Sequence, residues 1–420
     1  MNRPRLMFSA LLWGALPVSV PAVANQWTVT PRNSVEIQSG GLVEVEELSG
    51  VTYIGPANGG LERFAAIQDQ DGVVVTFDVG FAADASVQSA TQISRTTLED
   101  PLLDYEGIAF TDATSNSVFV SFERDTGVSS PVIPGVSEYS LSDGSQLGTT
   151  SLPTVWTTDG NTRRNLGFES LTMASGGMTL WTENEEALTI DGPVATPLTG
   201  TPVRLQQLNR SGSNVAAGPQ FVYEVDPLHG PCTFGQPATA EACADDSRRS
   251  GLVDLVALPN DTLLALERST AETLPIFENR IYQVDFGGAT DVSTSGFTSG
   301  LDGKTYTPVS KTLLWSGAAQ GFFGANMEGL GLGPQLANGH WTLVGVTDDG
   351  GTVGDDFLVA FELVAPTPSC DVDGDFDCSG QVEVGDLNLV LFNWNRTPAN
   401  SLWNGSTRHP RLALPWEPTN

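Results

Sequence analysis

Short runs of alternating apolar and polar residues, each closed by a polar turn, dominate this chain. The clearest is residues 102–125, LLDYEGIAFTDATSNSVFVSFERD. A carboxylate beside a glycine (Glu106, Gly107) opens a short apolar strand, residues 108–110. After a polar turn, Val118, Val120 and Phe122 alternate with Phe119 and Ser121 and lead to Glu123 and Arg124. Alternation with a period of two, bounded by turn residues, is a strand signal, so the run reads as a strand pair with an acid at each end.

Four other segments repeat the pattern. Residues 165–186 carry Glu169 at the first acidic position, with Glu183 and Glu185 competing for the second. Residues 251–269 carry Asp254, then Glu267 followed by Arg268, as Glu123 is followed by Arg124. Residues 326–350 carry Glu328 and Asp348, and residues 49–71 form a weaker copy led by Gly50 and Val51. Five copies at irregular spacing predict an array of similar β units rather than one continuous core, and a four-stranded blade takes roughly 40–50 residues. The expected fold is therefore all-β, a β-propeller with long loops, since ring closure removes open sheet edges. Six blades are expected, with five to seven possible. The sixth would be closed by both ends of the domain, residues 27–37 and 357–364.

Ahead of the array, residues 1–24 read as an export signal: Arg3 and Arg5, an apolar run over residues 6–20, and Ala22-Val23-Ala24 as the cleavage site. Pro17 and Pro21 interrupt the run, and no later segment is long enough to span a bilayer. The mature protein is expected to start at Asn25, secreted, periplasmic or on the cell surface. In an oxidising compartment, Cys232 with Cys243 and Cys370 with Cys378 are the simplest of three possible disulfide pairings.

Removing Arg3 and Arg5 leaves 17 basic against 50 acidic residues, a net charge of −33, with Lys304 and Lys311 the only lysines. So acidic a chain repels nucleic acid and anionic membranes and attracts divalent cations; the same composition also keeps secreted proteins soluble in salt. A monomer is expected.

Length allows one large domain, residues 25–365, a proline-bearing linker at 366–369, and a small module at 370–396 before a tail at 397–420. The module reads CDVDGDFDCSGQVEVGDLNLVLFNW. A calcium loop opened at Asp371 or Asp373 would put Val382 or Val384 at its twelfth position, where no metal can bind. Opened at Asp375, it places Asp375, Asp377 and Ser379 at positions one, three and five, Gly380 at the sharp turn, the Gln381 carbonyl at seven, Glu383 at nine and Asp386 at twelve. Leu387, Val390, Leu391 and Trp394 then recur at helical spacing. This resembles a single dockerin-type EF-hand repeat, which implies calcium and an extracellular protein partner; the second loop that dockerins carry is not evident.

The main domain also resembles a family. Ser49-Gly50-Val51, Asp104-Tyr105-Glu106-Gly107, Asn165 to Leu171 (NLGFESL), Leu264 to Arg268 (LALER) and Asn326 to Leu330 (NMEGL) follow the order of the phytase-like domain described as having esterase-like activity of phytase. The resemblance covers about residues 40–362. It implies a propeller-type fold in an exported protein and hydrolysis of phosphate esters or other esters, although one fold carries many functions.

The residues themselves narrow the chemistry. No G-x-S-x-G elbow and no Arg-His-Gly signature occurs, and His229, His340 and His409 stand in a cysteine loop, at a strand start and in the tail. Histidine-dependent nucleophilic catalysis is poorly supported. Carboxylates are the better candidates: Glu106, Glu169, Glu328, Glu123, Glu267 and Asp348 would converge around one axis if their blade positions are equivalent. Several acids around one channel repel one another and favour a cation; calcium takes oxygen ligands and can bridge them to a phosphate. Arg124 and Arg268 would orient phosphate oxygens. The same glutamates could instead hold blade to blade through backbone N–H groups or arginines. Three classes stay open: a calcium-dependent esterase of phosphate or other esters, a non-catalytic binding propeller, and an extracellular surface or matrix component anchored by its calcium module.

Overall fold

A computed structural model describes residues 26–366 except 70, 102, 126–132, 212–213, 232–247, 319–323 and 349–355. The signal segment, the four cysteines and the whole C-terminal module, with Asp375, Asp377, Ser379, Gln381, Glu383 and Asp386, lie outside the described residues. So does the side chain of Arg124.

The chain enters as β1 (Thr28–Glu36) and then builds four sheets in sequence order. The first holds β2 (Leu48–Pro56), β3 (Glu62–Gln68), β4 (Val73–Phe81) and β5 (Val87–Thr97). β6 (Leu103–Phe110), β7 (Ser117–Asp125), β8 (Gly135–Ser140) and β9 (Gln146–Thr149) make the second. The third contains β10 (Thr172–Met173), β11 (Thr179–Thr182), β12 (Thr201–Ser211) and β13 (Asn214–Val225). In the fourth are β14 (Ser250–Ala257), β15 (Leu263–Thr270), β16 (Phe277–Asp285) and β17 (Ser310–Gly317). β18 (Met327–Gln335), β19 (Trp341–Thr347) and β20 (Phe357–Val364) form the last, and β1 returns to complete it on the outer edge of β20. All pairings within the sheets are antiparallel.

Five sheets, each with its first-built strand innermost, close into a ring: β2 touches β6, β6 touches β10, β10 touches β14, β14 touches β18 and β18 touches β2. This is a five-bladed β-propeller, not a six-bladed one. The ends do close the ring, Thr28 pairing with Val364 and Glu36 with Phe357. But β20 already belongs to the blade built by the fifth motif copy, so closure adds an outer strand rather than a sixth sheet.

The alternation in the second strands means something different from core against solvent. β7 is buried on both faces. Val118 and Val120 pack with Ala65, Ile67, Tyr105 and Ile108 in the seam between blades 1 and 2, whereas Phe119 packs with Trp156, Phe168 and Leu171 in the seam between blades 2 and 3. Three further apolar clusters fill the remaining seams. The core is five wedges, each made of side chains worth roughly 1.5–3 kcal/mol apiece when fully buried.

Glycine decides how close the inner strands come. A methyl group on Gly107 would lie 2.1 Å from the Leu171 amide nitrogen, and one on Gly329 would lie 2.2 Å from the Ser49 carbonyl oxygen. Backbone packs on backbone at the ring's centre, so the residue before each glycine, Glu106 or Glu328, is left at the rim where its strand starts. At the other end of the same strands a smaller cavity of about 200 Å³ is lined by apolar groups such as Val51, Tyr53, Phe110, Leu171 and Met173. Leu363 pairs with Trp341, at the far end of β19 from Asp348, so both ends of the propeller chain lie away from the acids. Among the described residues no helix is long and apolar enough to cross a membrane.

Candidate functional site

A cavity of about 400 Å³ opens where the inner strands begin. β6 contributes Asp104 and Glu106, β7 contributes Glu123, and Glu169 stands just before β10. Glu185 follows β11, Arg268 comes from β15, Glu328 from β18, and Asp348 follows β19. With Glu47, Asp69 and Arg249 the lining holds nine carboxylates against two arginines, and no histidine or cysteine.

On one side the acids are held by cations. Arg268 donates through Nη2 to Glu185 Oε1 (2.6 Å) and through Nη1 to Glu328 and to Asn326 Oδ1 (2.9 Å). Asn326 in turn donates Nδ2–H to Glu328 Oε1 (2.8 Å) and Asp348 Oδ2 (3.0 Å). Arg249 Nη1 donates to Glu185 Oε2 (3.2 Å) and to the Asn165 carbonyl (2.5 Å). Burial pushes the Glu328 carboxyl up to about 7 while the Arg268 guanidinium opposes the rise.

On the other side no cationic side chain among the described residues is bonded to Glu106, Glu123 or Glu169. Glu106 accepts a hydrogen bond from Ser49 Oγ (2.5 Å), and Glu123 Oε1 accepts one from the Gly167 N–H (2.6 Å). The carboxyl of Glu169 is held well above its ordinary range by burial first and then by Glu106, Glu123 and Glu185, and Glu123 beside it favours its protonated form. Glu123 is pushed up to about 7, chiefly by burial, with the hydrogen bonds it accepts acting against the rise. Glu106 is raised well above its usual value by burial and then by Glu123, Asp69 and Asp104. Two or more carboxyls that share one charge offer a proton donor and a proton acceptor side by side near neutral pH.

Six of the residues expected from sequence thus meet in one place: Glu106, Glu123, Glu169, Glu328, Asp348 and Arg268. Glu267 does not. It accepts hydrogen bonds from Tyr223 Oη (2.8 Å), the Asp226 N–H (3.1 Å) and Lys311 Nζ (2.5 Å), with Lys311 packed over the Tyr223 and Tyr282 rings. Successive residues of a strand face opposite ways, so when Arg268 takes the cavity its neighbour Glu267 is turned into the seam with blade 3. Arg268 is also not poised to receive phosphate oxygens, because its two Nη groups are committed to carboxylates and Asn326. His229 bonds to Ser269 and the Pro275 carbonyl, and His340 to Glu362, both away from the cavity.

Sequence reading missed Asp104, Asp69, Glu47 and Arg249, and left Glu185 unresolved against Glu183. Asp104 was legible as the residue two before Glu106 on the same strand face, and Asp69 as the strand-end acid of the weak first copy. Arg249 carries no pattern that would have found it.

An all-oxygen lining suits a hard cation and not a thiophilic one. Among the described residues no three acidic, histidine or cysteine side chains already converge on one point as a ligand set, since the acids are spread around the ring and partly engaged with a proton or with arginine.

The fold and this lining define a five-bladed propeller with an acidic cavity at the start of its inner strands. The chain belongs to the phytase-like family described as "Esterase-like activity of phytase", whose model matches residues 43–351. No curated protein matches the sequence. Solved structures that align include an endo-arabinase from Bacteroides thetaiotaomicron (10% identity, 80% of this chain and 99% of that chain, TM-score 0.40). A thermostable family-43 glycoside hydrolase aligns at 9% identity (80% and 97%, TM-score 0.41). The periplasmic gluconolactonase of Pseudomonas aeruginosa aligns at 11% identity (81% and 99%, TM-score 0.30). Similarity at this level transfers no chemistry to the present chain.

Proposed function

We propose that this is an exported hydrolase of phosphate esters, or of other esters, that works with calcium in the acidic cavity. The observation that supports it is the convergence of nine carboxylates on about 400 Å³, three of them, Glu106, Glu123 and Glu169, bonded to no cationic side chain among the described residues. Glu106, with Asp69 and Asp104 beside it, would hold the ion, leaving Glu123 and Glu169 free to handle protons. Calcium there supplies positive charge that balances the acids and draws in an anionic ester.

The chain's own part is proton handling. Glu123, with its carboxyl near 7, accepts a proton from the attacking water. Glu169, which keeps its proton, gives it to the leaving oxygen, so water adds across the ester bond and both products leave neutralised at the cleaved position. Arg268 and Arg249 hold Glu185, Glu328 and the Asn165 backbone in place as a rigid wall. That wall is the feature a non-catalytic binding propeller would share; the side with raised carboxyls is the feature it would not need.

The signal at residues 1–24 would export the chain, and the loop at Asp375, Asp377, Ser379, Gln381, Glu383 and Asp386 would bind a further calcium ion and an extracellular protein partner. The test is turnover of phytate, p-nitrophenyl phosphate and a carboxyl ester by the protein from Asn25 to Asn420, with calcium and with chelator. Calcium-dependent release that falls about 100- to 10,000-fold in Glu169→Gln is expected. A folded, calcium-loaded protein that turns over none of them sinks the hydrolase reading in favour of binding.

A further inference from the structure

Glu183 is the buried acid that the proposed reaction does not use. It follows β11, two residues before Glu185, and its side chain is fully enclosed, 0% exposed. Neither carboxylate oxygen has a hydrogen-bond partner. Ser170, next to Glu169 in the chain and also fully enclosed, points its hydroxyl at this carboxyl and favours its ionised form, but in a geometry that falls short of a hydrogen bond. Asp254 of β14 and Glu185 both repel the group. Residues 183–185 run along β14, with the Leu252 N–H donating to the Glu185 carbonyl (3.0 Å), so the position is the seam between blades 3 and 4, directly behind the cavity wall.

Native folds rarely leave such a group unanswered. As a carboxylate it is strongly destabilised by the loss of water and by two neighbouring acids. Protonation removes the charge but still leaves an O–H donor and a carbonyl oxygen without partners. Glu185 cannot supply a partner, being an acid fixed to Arg249 and Arg268. Asp254 already accepts the Leu255 and Leu330 N–H groups and, as a second buried acid, adds to the repulsion.

We propose that this seam holds a hard cation, sodium or calcium, on the two oxygens of Glu183 and Oγ of Ser170. Oxygen-only donors select such an ion, and the waters it carries complete its shell and satisfy the remaining lone pairs. The ion cancels the repulsion among Glu183, Glu185 and Asp254 from behind the wall. It is separate from the cation proposed for the cavity, and from that of the C-terminal loop, and its role is to relieve the repulsion between Glu183 of blade 3 and Asp254 of blade 4.

The experiment uses the full mature chain, stripped of metal, in choline chloride. Melting temperature and bound ions per chain are measured after adding sodium chloride or calcium chloride against choline chloride of equal ionic strength. The wild type is expected to gain roughly 2–6 °C. Glu183→Gln is expected to lose the sodium gain and part of the calcium gain, to be at least as stable as wild type in choline, and, if calcium is the occupant, to bind one ion fewer. Ser170→Ala should keep part of the gain, and Glu106→Gln, in the cavity, should keep all that sodium provides.

An unchanged gain and ion count in Glu183→Gln overturns the proposal, as does a wild type indifferent to both cations, which would mean a protonated carboxyl. Should Glu183→Gln not fold, Glu183→Met decides: a folded, sodium-insensitive protein supports the site and a wild-type gain overturns it. None of these readouts depends on turnover, so the hydrolase reading can fail while this one stands, and the reverse.

Discussion

The two walls of the acidic cavity solve one problem in opposite ways. Toward blades 4 and 5, Glu185 of blade 3 and Glu328 of blade 5 are neutralised by Arg268, whose guanidinium is fixed from three directions. On the side of blades 2 and 3, burial and neighbouring acids push Glu106, Glu123 and Glu169 toward their protonated forms, with no cationic side chain bonded to them among the described residues. A guanidinium stays charged at every accessible pH and cannot leave; a proton can be exchanged for a metal ion or passed to a substrate. The first wall is built as scaffold, and the second holds the groups on which the proposed chemistry rests.

Removing the clamp is the hardest test of that division. Arg268→Ala leaves two buried acids facing each other and is expected to cost about 3–5 kcal/mol, read as a lowered denaturation midpoint. Arg268→Lys should recover part of it. A loss under about 1 kcal/mol would show that solvent already screens the pair, and the two walls would then not differ as argued.

Next in size is the response to pH. Glu123 and Glu328 are raised from 4.5 to about 7 in the folded protein, so between those values the folded state binds protons that the unfolded chain has released. Stability from these groups is complete below pH 4.5 and is lost as pH rises through 7. In metal-free buffer the melting temperature is expected to fall between about pH 5 and 7.5, and added calcium should flatten the fall. A metal-free melting temperature that climbs over that window contradicts the protonated wall.

The smallest effect belongs to the acid that sequence assigned to the cavity and the fold did not. Glu267→Gln removes a charge-assisted bond to Lys311 and is expected to cost about 1.5–3 kcal/mol with turnover unchanged. Turnover that drops as far as in Glu169→Gln would return Glu267 to the site.

How much of this was legible can be argued from single residues. Alternation around Val118 and Phe119 marked strands, and the Glu-Gly pairs at Glu106 and Glu328 marked the ring centre, because only glycine admits backbone contact there. Blade number was not legible: residues 357–364 look like a separate unit in sequence, and only pairing with both β19 and β1 shows that they complete the fifth sheet. Glu123-Arg124 and Glu267-Arg268 look equivalent as dipeptides. Yet Glu123 lines the cavity while Glu267 turns away, a difference of strand phase that local sequence does not record.

By itself the sequence determined a chain of repeated β units, an acidic character and the residue types that could meet at an axis, because periodicity and composition are local properties. The tertiary structure alone decided which acids meet, which are clamped by Arg268, which are pushed toward protonation and which, like Glu183, are sealed in a seam. Those outcomes depend on the register between neighbouring strands and blades and on the water excluded when they close. Both are set by contacts between residues far apart in the chain, as when Asp254 of β14 receives the Leu330 N–H from β18.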